Sequence, residues 1–431
     1  MTDVAPAAAG LGYLRALYPD GPPPGLRVLR LDRGEGTDWR QVVGEGGECH
    51  LIWGARAGLW ARFDRFLRIV RLRRRVPCRL LGVHGAVERP EVVVSLSRGV
   101  LDYAHTVTFR YADSPLRMLL KRVAGLLPGA LLWPGPVVAF IAPRGDGDES
   151  LVLFSADRLV AFLFRRGEAR PYAVRKSGEA ADLAAETGNH RRAAQLLGRM
   201  VPDLVPGGES SLTLEYIPEH TLLNAVASAW FGRHRVFERQ AQGHVAFCLE
   251  VYRRFIQGAP PVVEPVTAAE VDDLLAALSD VPCEVAERER LGAALRACVG
   301  AQLPRLIQHG DFCVRNVLIA GGERGRVLID WEDLRERRFP LADFALLRLS
   351  LKEAYAALFK ADPEAMYRRP EPARGLAEAE AELGRLLGLD RRGLKGATLL
   401  SLACLCRQNL NKKRIPTARS IFAELLHIRR T

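Results

Sequence analysis

Residues 307–333 constrain this chain more than any other stretch. They read Ile-Gln-His309-Gly-Asp311-Phe-Cys-Val-Arg-Asn316-Val-Leu-Ile, then a Gly-Gly-Glu-Arg-Gly turn, then Val-Leu-Ile-Asp330-Trp-Glu-Asp. An apolar run ends just before Asp311, restarts after Asn316 and ends again at Asp330. A strand, a loop and a hairpin in that order bring two carboxylates and an amide oxygen to one point. Hard oxygens in this number suit Mg²⁺, which takes a few carboxylates together with phosphate oxygens and water. With Asn316 and Asp330 on the metal, Asp311 is left to orient a hydroxyl and accept its proton. The competing reading makes Asp311 and Asp330 turn residues, since Asp is common where strands end, and His309 a core histidine bonded to backbone.

The surrounding pattern gives the organisation. The polar run Pro143-Arg-Gly-Asp-Gly-Asp-Glu-Ser150 marks a boundary between apolar strands. Three strand-like segments follow it, Ser150–Ser155, Leu159–Phe164 and Pro171–Val174. Helical periodicity then covers Leu183–Met200, Thr221–Phe231, His244–Ile256, Ala268–Leu278 and Val285–Val299. A β patch around residues 306–329 interrupts the helices. They resume after Leu341, with breaks expected at Pro370–Pro372 and Gly393–Gly396. The expected domains are 1–145, 150–220 and 221–431.

His-Gly-Asp-x-x-x-x-Asn followed by Ile-Asp-Trp-Glu resembles the aminoglycoside phosphotransferase and choline kinase group of small-molecule kinases, over about residues 150–426. The resemblance implies an α+β chain with a bilobal protein-kinase-like fold: a small antiparallel β lobe plus a large helical lobe, here preceded by a small α/β N-terminal domain. It implies ATP and Mg²⁺ as cofactors, with ATP between the lobes. Asp311 takes the role of catalytic base, and Asn316 and Asp330 that of Mg²⁺ ligands. His309 stabilises the loop, and Asp343 in Pro-Leu-Ala-Asp-Phe ties the same loop down from a helix start. Arg315 stands where a small residue commonly precedes the Asn, which would narrow the acceptor site or add a phosphate contact.

Two further stretches carry the resemblance. Arg170-Pro-Tyr-Ala-Val-Arg-Lys176 is similar to the strand ending in the ATP-binding lysine, and Lys176 is one of only seven lysines among 62 basic residues. A compact ammonium on the α- and β-phosphates explains the choice of Lys there. Glu186, on the next helical stretch, is its candidate partner, at a spacing short for the family and with Gly188 weakening the helix. Ser211-Leu-Thr-Leu-Glu-Tyr-Ile-Pro218 is similar to the hinge that meets adenine, with Glu215 and Ile217 contributing main-chain atoms. The Gly-rich phosphate loop of protein kinases is missing. The turn Phe-Ser155-Ala-Asp-Arg158 stands in its place, so Ser155 and nearby amides would cap the phosphates.

Charge divides unevenly. The chain carries a formal net charge of +12, and residues 1–145 hold 21 basic and 12 acidic side chains, net +9. The basic balance thus belongs mostly to the N-terminal region and says little about a kinase substrate. That region faintly resembles the later part of a nucleoside-methyltransferase-type α/β fold, but it lacks a Gly-x-Gly loop, so only a degenerate version fits. In Trp60–Arg75, Trp60, Phe63, Leu67 and Val70 share one helical face beside Arg62, Arg65, Arg68 and Arg71. Such a helix suits an anionic membrane or partner, or an ordinary docked helix with a solvated Arg face. No helix-turn-helix, finger or RNA-sheet signature favours sequence-specific nucleic acid. The uncharged stretch Val123–Pro143 is broken by Pro and Gly and reads as a helix end, a turn and a buried strand Val137–Ala142.

Eight scattered cysteines without a Cys-x-x-Cys pair, and no His cluster at ligand spacing, argue against a metal cluster and read as reduced thiols. With no secretory signal pattern at Met-Thr-Asp-Val-Ala-Pro, the expected location is cytoplasmic, peripheral at the inner membrane surface if the basic helix binds lipid. Two functional readings stand. The first is an ATP- and Mg-dependent phosphotransferase acting on a hydroxyl of a sugar, aminosugar, aminoalcohol or glycan- or lipid-linked intermediate. The second is a pseudokinase or scaffold that binds nucleotide or a partner without transfer, favoured by the missing Gly-rich loop.

Overall fold

The computed structural model describes residues 12–18, 26–31, 49–54, 59–74, 78–107, 133, 135–141, 149–154, 158–206, 211–218, 220–229, 231–279 and 281–430. The chain forms two compact units, residues 1–187 with 203–218, and residues 188–202 with 219–431.

The first unit is built on one mixed sheet. Its strands are β1 (Arg27–Arg30), β2 (Cys49–Trp53), β3 (Arg79–Gly85), β4 (Pro90–Ser95), β5 (Val137–Ile141), β6 (Glu149–Phe154), β7 (Leu159–Phe164), β8 (Ala173–Ser177) and β9 (Ser211–Glu215). They lie in the order β1-β2-β5-β3-β4-β6-β7-β8-β9. Only β1 and β2 pair in parallel; the other neighbours are antiparallel. The sheet passes without a break from strands before residue 145 to strands after 149, because β4 pairs with β6 through Val92↔Leu153, Val93↔Val152 and Val94↔Leu151. The polar run 143–150 therefore connects two strands of one sheet. Apolar side chains on alternate positions fill both faces, as Val83, Val93, Val138 and Val152 do on one side and Leu51, Val137 and Ala139 on the other.

Two helices pack on this sheet, α1 (Leu59–Arg73) and α2 (Arg98–Val107). Helix α1 docks through Arg65, Ile69 and Leu72, and leaves Trp60, Phe63 and Leu67 exposed. Its hydrophobic periodicity is as read from the sequence, but the aromatic face turns to solvent. The buried Arg65 sets the orientation by donating from Nη1 to the Gly135 carbonyl at 2.8 Å and from Nη2 to the Trp133 carbonyl.

Helix α3 (Ala180–Leu197) contributes residues to both units. The second unit holds α4 (Leu222–Ala227), α5 (Arg233–Gly258), α6 (Ala268–Leu278), α7 (Val285–Arg296), α8 (Ala342–Phe359), α9 (Pro370–Leu386), α10 (Arg391–Asn411) and α11 (Ile415–Arg430). Thr267 and Glu270 form a capping box that starts α6. The break expected at Gly393–Gly396 falls earlier, at Gly388 with φ +65°, and Asp390 caps α10 by accepting from the Gly393 N–H at 2.7 Å. Two small sheets sit among the helices. One joins β10 (His220–Thr221), β13 (Val317–Ile319) and β14 (Arg326–Leu328); the other joins β11 (Val262–Pro265), β12 (Gln302–Gln308) and β15 (Arg335–Arg338). A single apolar core runs through the helices and under both sheets, with Trp331 and Phe312 wholly buried below the loop of interest.

Candidate active site

Strand β12 ends at Gln308, and the chain turns at once into His309-Gly310-Asp311. Gly310 has φ +86°, and a Cβ there would stand 2.4 Å from the Asp333 carbonyl oxygen, so the turn accepts only Gly. The loop is bolted from beneath by Asp343, in the first turn of α8 and 1 % exposed. Its two oxygens accept the His309 N–H at 2.7 Å and the Gly310 N–H at 2.8 Å. Its own N–H donates to Gln308 Oε1 at 2.9 Å, and Gln308 is held in turn by the Tyr252 hydroxyl and the Pro340 carbonyl. Burial pushes the Asp343 carboxyl up, opposed by His309 and by the two amide hydrogen bonds.

His309 is wholly buried and fixes two chain segments with one ring. Nε2 lies 3.0 Å from the Ile329 carbonyl, which can only accept, so the proton sits on Nε2. Nδ1 then accepts the Asp311 N–H at 3.1 Å. The neighbouring antiparallel pair β13–β14 matches Val317 with Leu328. Its ladder extends one step further, with the Ile329 N–H donating to the Asn316 carbonyl at 3.0 Å. Ile329 is thus clamped on both sides, and the next residue, Asp330, leaves it in a left-handed conformation (φ 70°, ψ 69°) that non-glycine residues rarely adopt. Such backbone persists only where its surroundings over-determine it.

Asn316 Nδ2 donates to the Asp311 carbonyl at 2.9 Å and to Asp311 Oδ2 at 3.1 Å. Both acceptors are oxygens, so the amide orientation is fixed and Oδ1 is the atom that could hold a cation. Burial raises the Asp311 pKa, His309 and Arg414 oppose that, and Asp330 adds to it. The donor set is a neutral amide oxygen and a carboxylate at the end of one hairpin, beside a second carboxylate. It fits a hard divalent cation and offers nothing to a soft one. Arg315 is exposed beside it.

The segment after Asp330 is pinned by residues that no motif pointed to. Lys412 reaches Asp333, and also Glu332 at 3.4 Å; Arg414 lies 3.6 Å from Glu332. Asn189 donates to the Trp331 carbonyl at 3.0 Å. The one available signal was that Lys412 and Lys413 are two of the seven lysines.

In the first unit Lys176, on β8, and Glu186, on α3, meet despite the short spacing. Lys176 Nζ lies 2.6 Å from Glu186 Oε1, and Glu186 is 2 % exposed. Arg158 Nη1 takes the other carboxylate oxygen at 2.9 Å, a partner the sequence did not suggest. Gly188 is accommodated within α3. At the hinge-like segment the Glu215 N–H donates to the Asp203 carbonyl at 2.8 Å, and Ile217 is buried. Ser155 lies outside the described residues, as do residues 123–132 of the uncharged stretch.

Comparison with known proteins places these residues in a family. A model of the phosphotransferase enzyme family (APH) matches residues 122–381, more than half of the chain, and its match starts upstream of the polar run at 143–150. No curated protein matches. Solved structures that resemble this one include a choline/ethanolamine kinase family protein from Mesorhizobium loti, at 17 % identity over 65 % of this chain and 85 % of that one, with a TM-score of 0.35. A thermostable mutant of the aminoglycoside phosphotransferase APH(4)-Ia is 14 % identical over 66 % and 94 %, with a TM-score of 0.41. The macrolide 2'-phosphotransferase MphH from Brachybacterium faecium is 17 % identical over 63 % and 89 %, with a TM-score of 0.37. These likenesses are too distant to bear on substrate. On the family match, which covers the Lys176 strand and the whole 307–333 stretch, the chain belongs to the phosphotransferase enzyme family.

Proposed function

We propose that the protein transfers the γ-phosphoryl group of ATP to a hydroxyl of a small molecule, a sugar, aminosugar, aminoalcohol or glycan- or lipid-linked intermediate. The observation that carries this reading is the pinning of Asp311. Its N–H is held by His309, and one carboxylate oxygen and the main-chain carbonyl are held by Asn316. The remaining carboxylate oxygen is free of those bonds and presented by a rigid loop.

In this reading Asp311 accepts the proton of the acceptor hydroxyl as its oxygen attacks the γ-phosphorus and ADP leaves. The loop's catalytic contribution is orientation, since a positioned nucleophile avoids most of the entropy of encounter. Asp343 and His309 are positioning residues: they fix the loop's backbone without touching the reacting atoms. Asn316 Oδ1 and the Asp330 carboxylate would hold Mg²⁺, which when bound supplies positive charge to the β- and γ-phosphates. Lys176 contacts the α- and β-phosphates, held straight by Glu186, while Arg158 shares the carboxylate. Ser155 and its neighbouring amides cap the phosphates, and the Glu215 carbonyl and Ile217 main chain meet adenine.

The reading is tested by heating the purified protein with ATP, with and without Mg²⁺, and by a screen of hydroxylated acceptors with labelled ATP. Mg²⁺-dependent stabilisation by ATP and a labelled product are expected. Stabilisation with no product from any acceptor would favour a scaffold, and no stabilisation at all would remove the nucleotide.

A further inference from the structure

Helix α1 is docked the wrong way round for an ordinary surface helix. Arg65, Ile69 and Leu72 face the sheet and are 1 %, 1 % and 3 % exposed, whereas Trp60 is 84 %, Phe63 42 % and Leu67 39 % exposed. At 100° per residue, Trp60, Phe63, Leu67, Arg71 and Arg74 fall in one outward stripe roughly 80° wide. Its first half is apolar and aromatic, with Trp60 and Phe63 in edge contact at 6.4 Å. Its second half is cationic: Arg71 and Arg74 are exposed and have no carboxylate partner among the described residues, while the exposed Arg68 and Arg73 flank the stripe and Arg68 pairs with Asp64 at 3.0 Å. The orientation is enforced. Rotating α1 to hide Trp60 would strip the buried Arg65 from the Gly135 and Trp133 carbonyls that its guanidinium serves.

We infer that this stripe docks the protein on an anionic phospholipid surface, with α1 lying in the interface plane. Trp and Phe suit the headgroup boundary, where a ring can be half apolar and half wet. Exposed arginines at the other end of the stripe meet lipid phosphate. The charge pattern selects against other occupants. A second copy whose α1 paired in parallel across a two-fold axis would set Arg71 and Arg74 against their own equivalents. A nucleic acid would find charge along only half the stripe and no phosphate partner at Trp60 or Phe63. Among the described residues no helix is long and apolar enough to cross a membrane.

The test uses the full chain in sedimentation with vesicles of phosphatidylcholine alone and of phosphatidylcholine mixed with phosphatidylglycerol. Binding to the mixed vesicles and not to the neutral ones is expected, with loss in about 1 M salt, where the Debye length is about 3 Å. The variant Trp60→Ser/Phe63→Ser/Leu67→Ser keeps every charge and should bind on the order of tenfold or more weakly. Arg71→Gln/Arg74→Gln should bind roughly 25-fold more weakly, at about 1 kcal/mol per cation near the surface. Both variants alter exposed side chains only, so their unfolding midpoints should match the parent. No binding to anionic vesicles, or binding that ignores lipid charge or the loss of the three apolar side chains, overturns the inference. So does a stripe that instead mediates self-association or DNA binding lost in the same variants.

Discussion

Lys176 Nζ and Glu186 Oε1 meet at 2.6 Å, although only ten positions of sequence part them and Gly188 follows Glu186 in the same helix. The pair works because α3 begins at Ala180, four residues after Lys176, and its second turn drops Glu186 onto the end of β8. Arg158, just before β7, completes a carboxylate with two cations. Changing Glu186 to Gln leaves both cations facing a neutral amide. The expected outcome is a KM for ATP raised about ten- to a hundredfold, the worth of one charge-assisted hydrogen bond, and a stability loss of about 3 kcal/mol from breaking a buried pair. Steady-state kinetics and denaturant unfolding check the two effects separately.

Asp343 predicts a different signature. Replacing it with Ala orphans the His309 and Gly310 N–H groups, a cost of about 3 kcal/mol in stability. It also frees the loop, and a displacement of about 1 Å in a reacting group costs on the order of a hundredfold in rate. The fall should appear in kcat, with the Kd for Mg·ATP little changed. Asp343→Asn keeps one acceptor and should lie between the parent and the Ala variant; equal losses in both variants would speak against this division of labour.

Legibility followed locality. Leu159–Phe164 and Ala268–Leu278 were readable to the residue, because an unbroken apolar run between Arg158 and Arg165 marks the first and the Thr267–Glu270 capping box the second. The 307–333 stretch was readable because Gly310, Asp311, Asn316 and Asp330 sit in one hairpin at short spacing. The register that joins residues 92–94 to 151–153 was not readable, since the polar run 143–150 in between reads in sequence as a boundary. Nor were Arg158, Lys412 and Arg414, whose carboxylate partners lie 28, 79 or 80, and 82 residues away. For α1 the periodicity was legible but not the docked face, because a buried Arg that serves backbone carbonyls is invisible to a hydrophobic pattern.

Helix α1 supplies a third prediction. Arg65→Ala should destabilise the first unit by about 3 kcal/mol, leaving the Gly135 and Trp133 carbonyls without their donor. Trp60→Ser should change stability by no more than about 0.5 kcal/mol. Denaturant midpoints of the two variants decide it: if Trp60→Ser costs as much as Arg65→Ala, α1 is docked on its other face.

Acid should weaken both units. His50, wholly buried between the Tyr13 hydroxyl at 2.9 Å and the Tyr18 hydroxyl at 3.2 Å, has its pKa lowered by burial to about 4. His244 in α5 is likewise lowered to about 4, by burial and then by Arg326. A histidine with a depressed folded pKa stays neutral in the native state while the unfolded chain takes up its proton below about pH 6.5. Stability is therefore full above that pH and falls as pH drops from about 6.5 to about 4, by up to roughly 3 kcal/mol for each such histidine. Unfolding midpoints that stay level or rise between pH 7 and pH 5 would contradict this.

The central claim is that Asp311 directs phosphoryl transfer from a site that binds Mg·ATP without it. The direct measurement is single-turnover transfer of labelled phosphate from Mg·ATP to the acceptor found by screening, with parent and Asp311→Asn compared, alongside the Kd for Mg·ATP. Asn keeps an oxygen for the Asn316 amide but cannot take the proton. The account predicts a transfer rate lower by on the order of a thousandfold, within the range of general-base catalysis, and a Kd within about twofold of the parent. A transfer rate in Asp311→Asn close to that of the parent would contradict it.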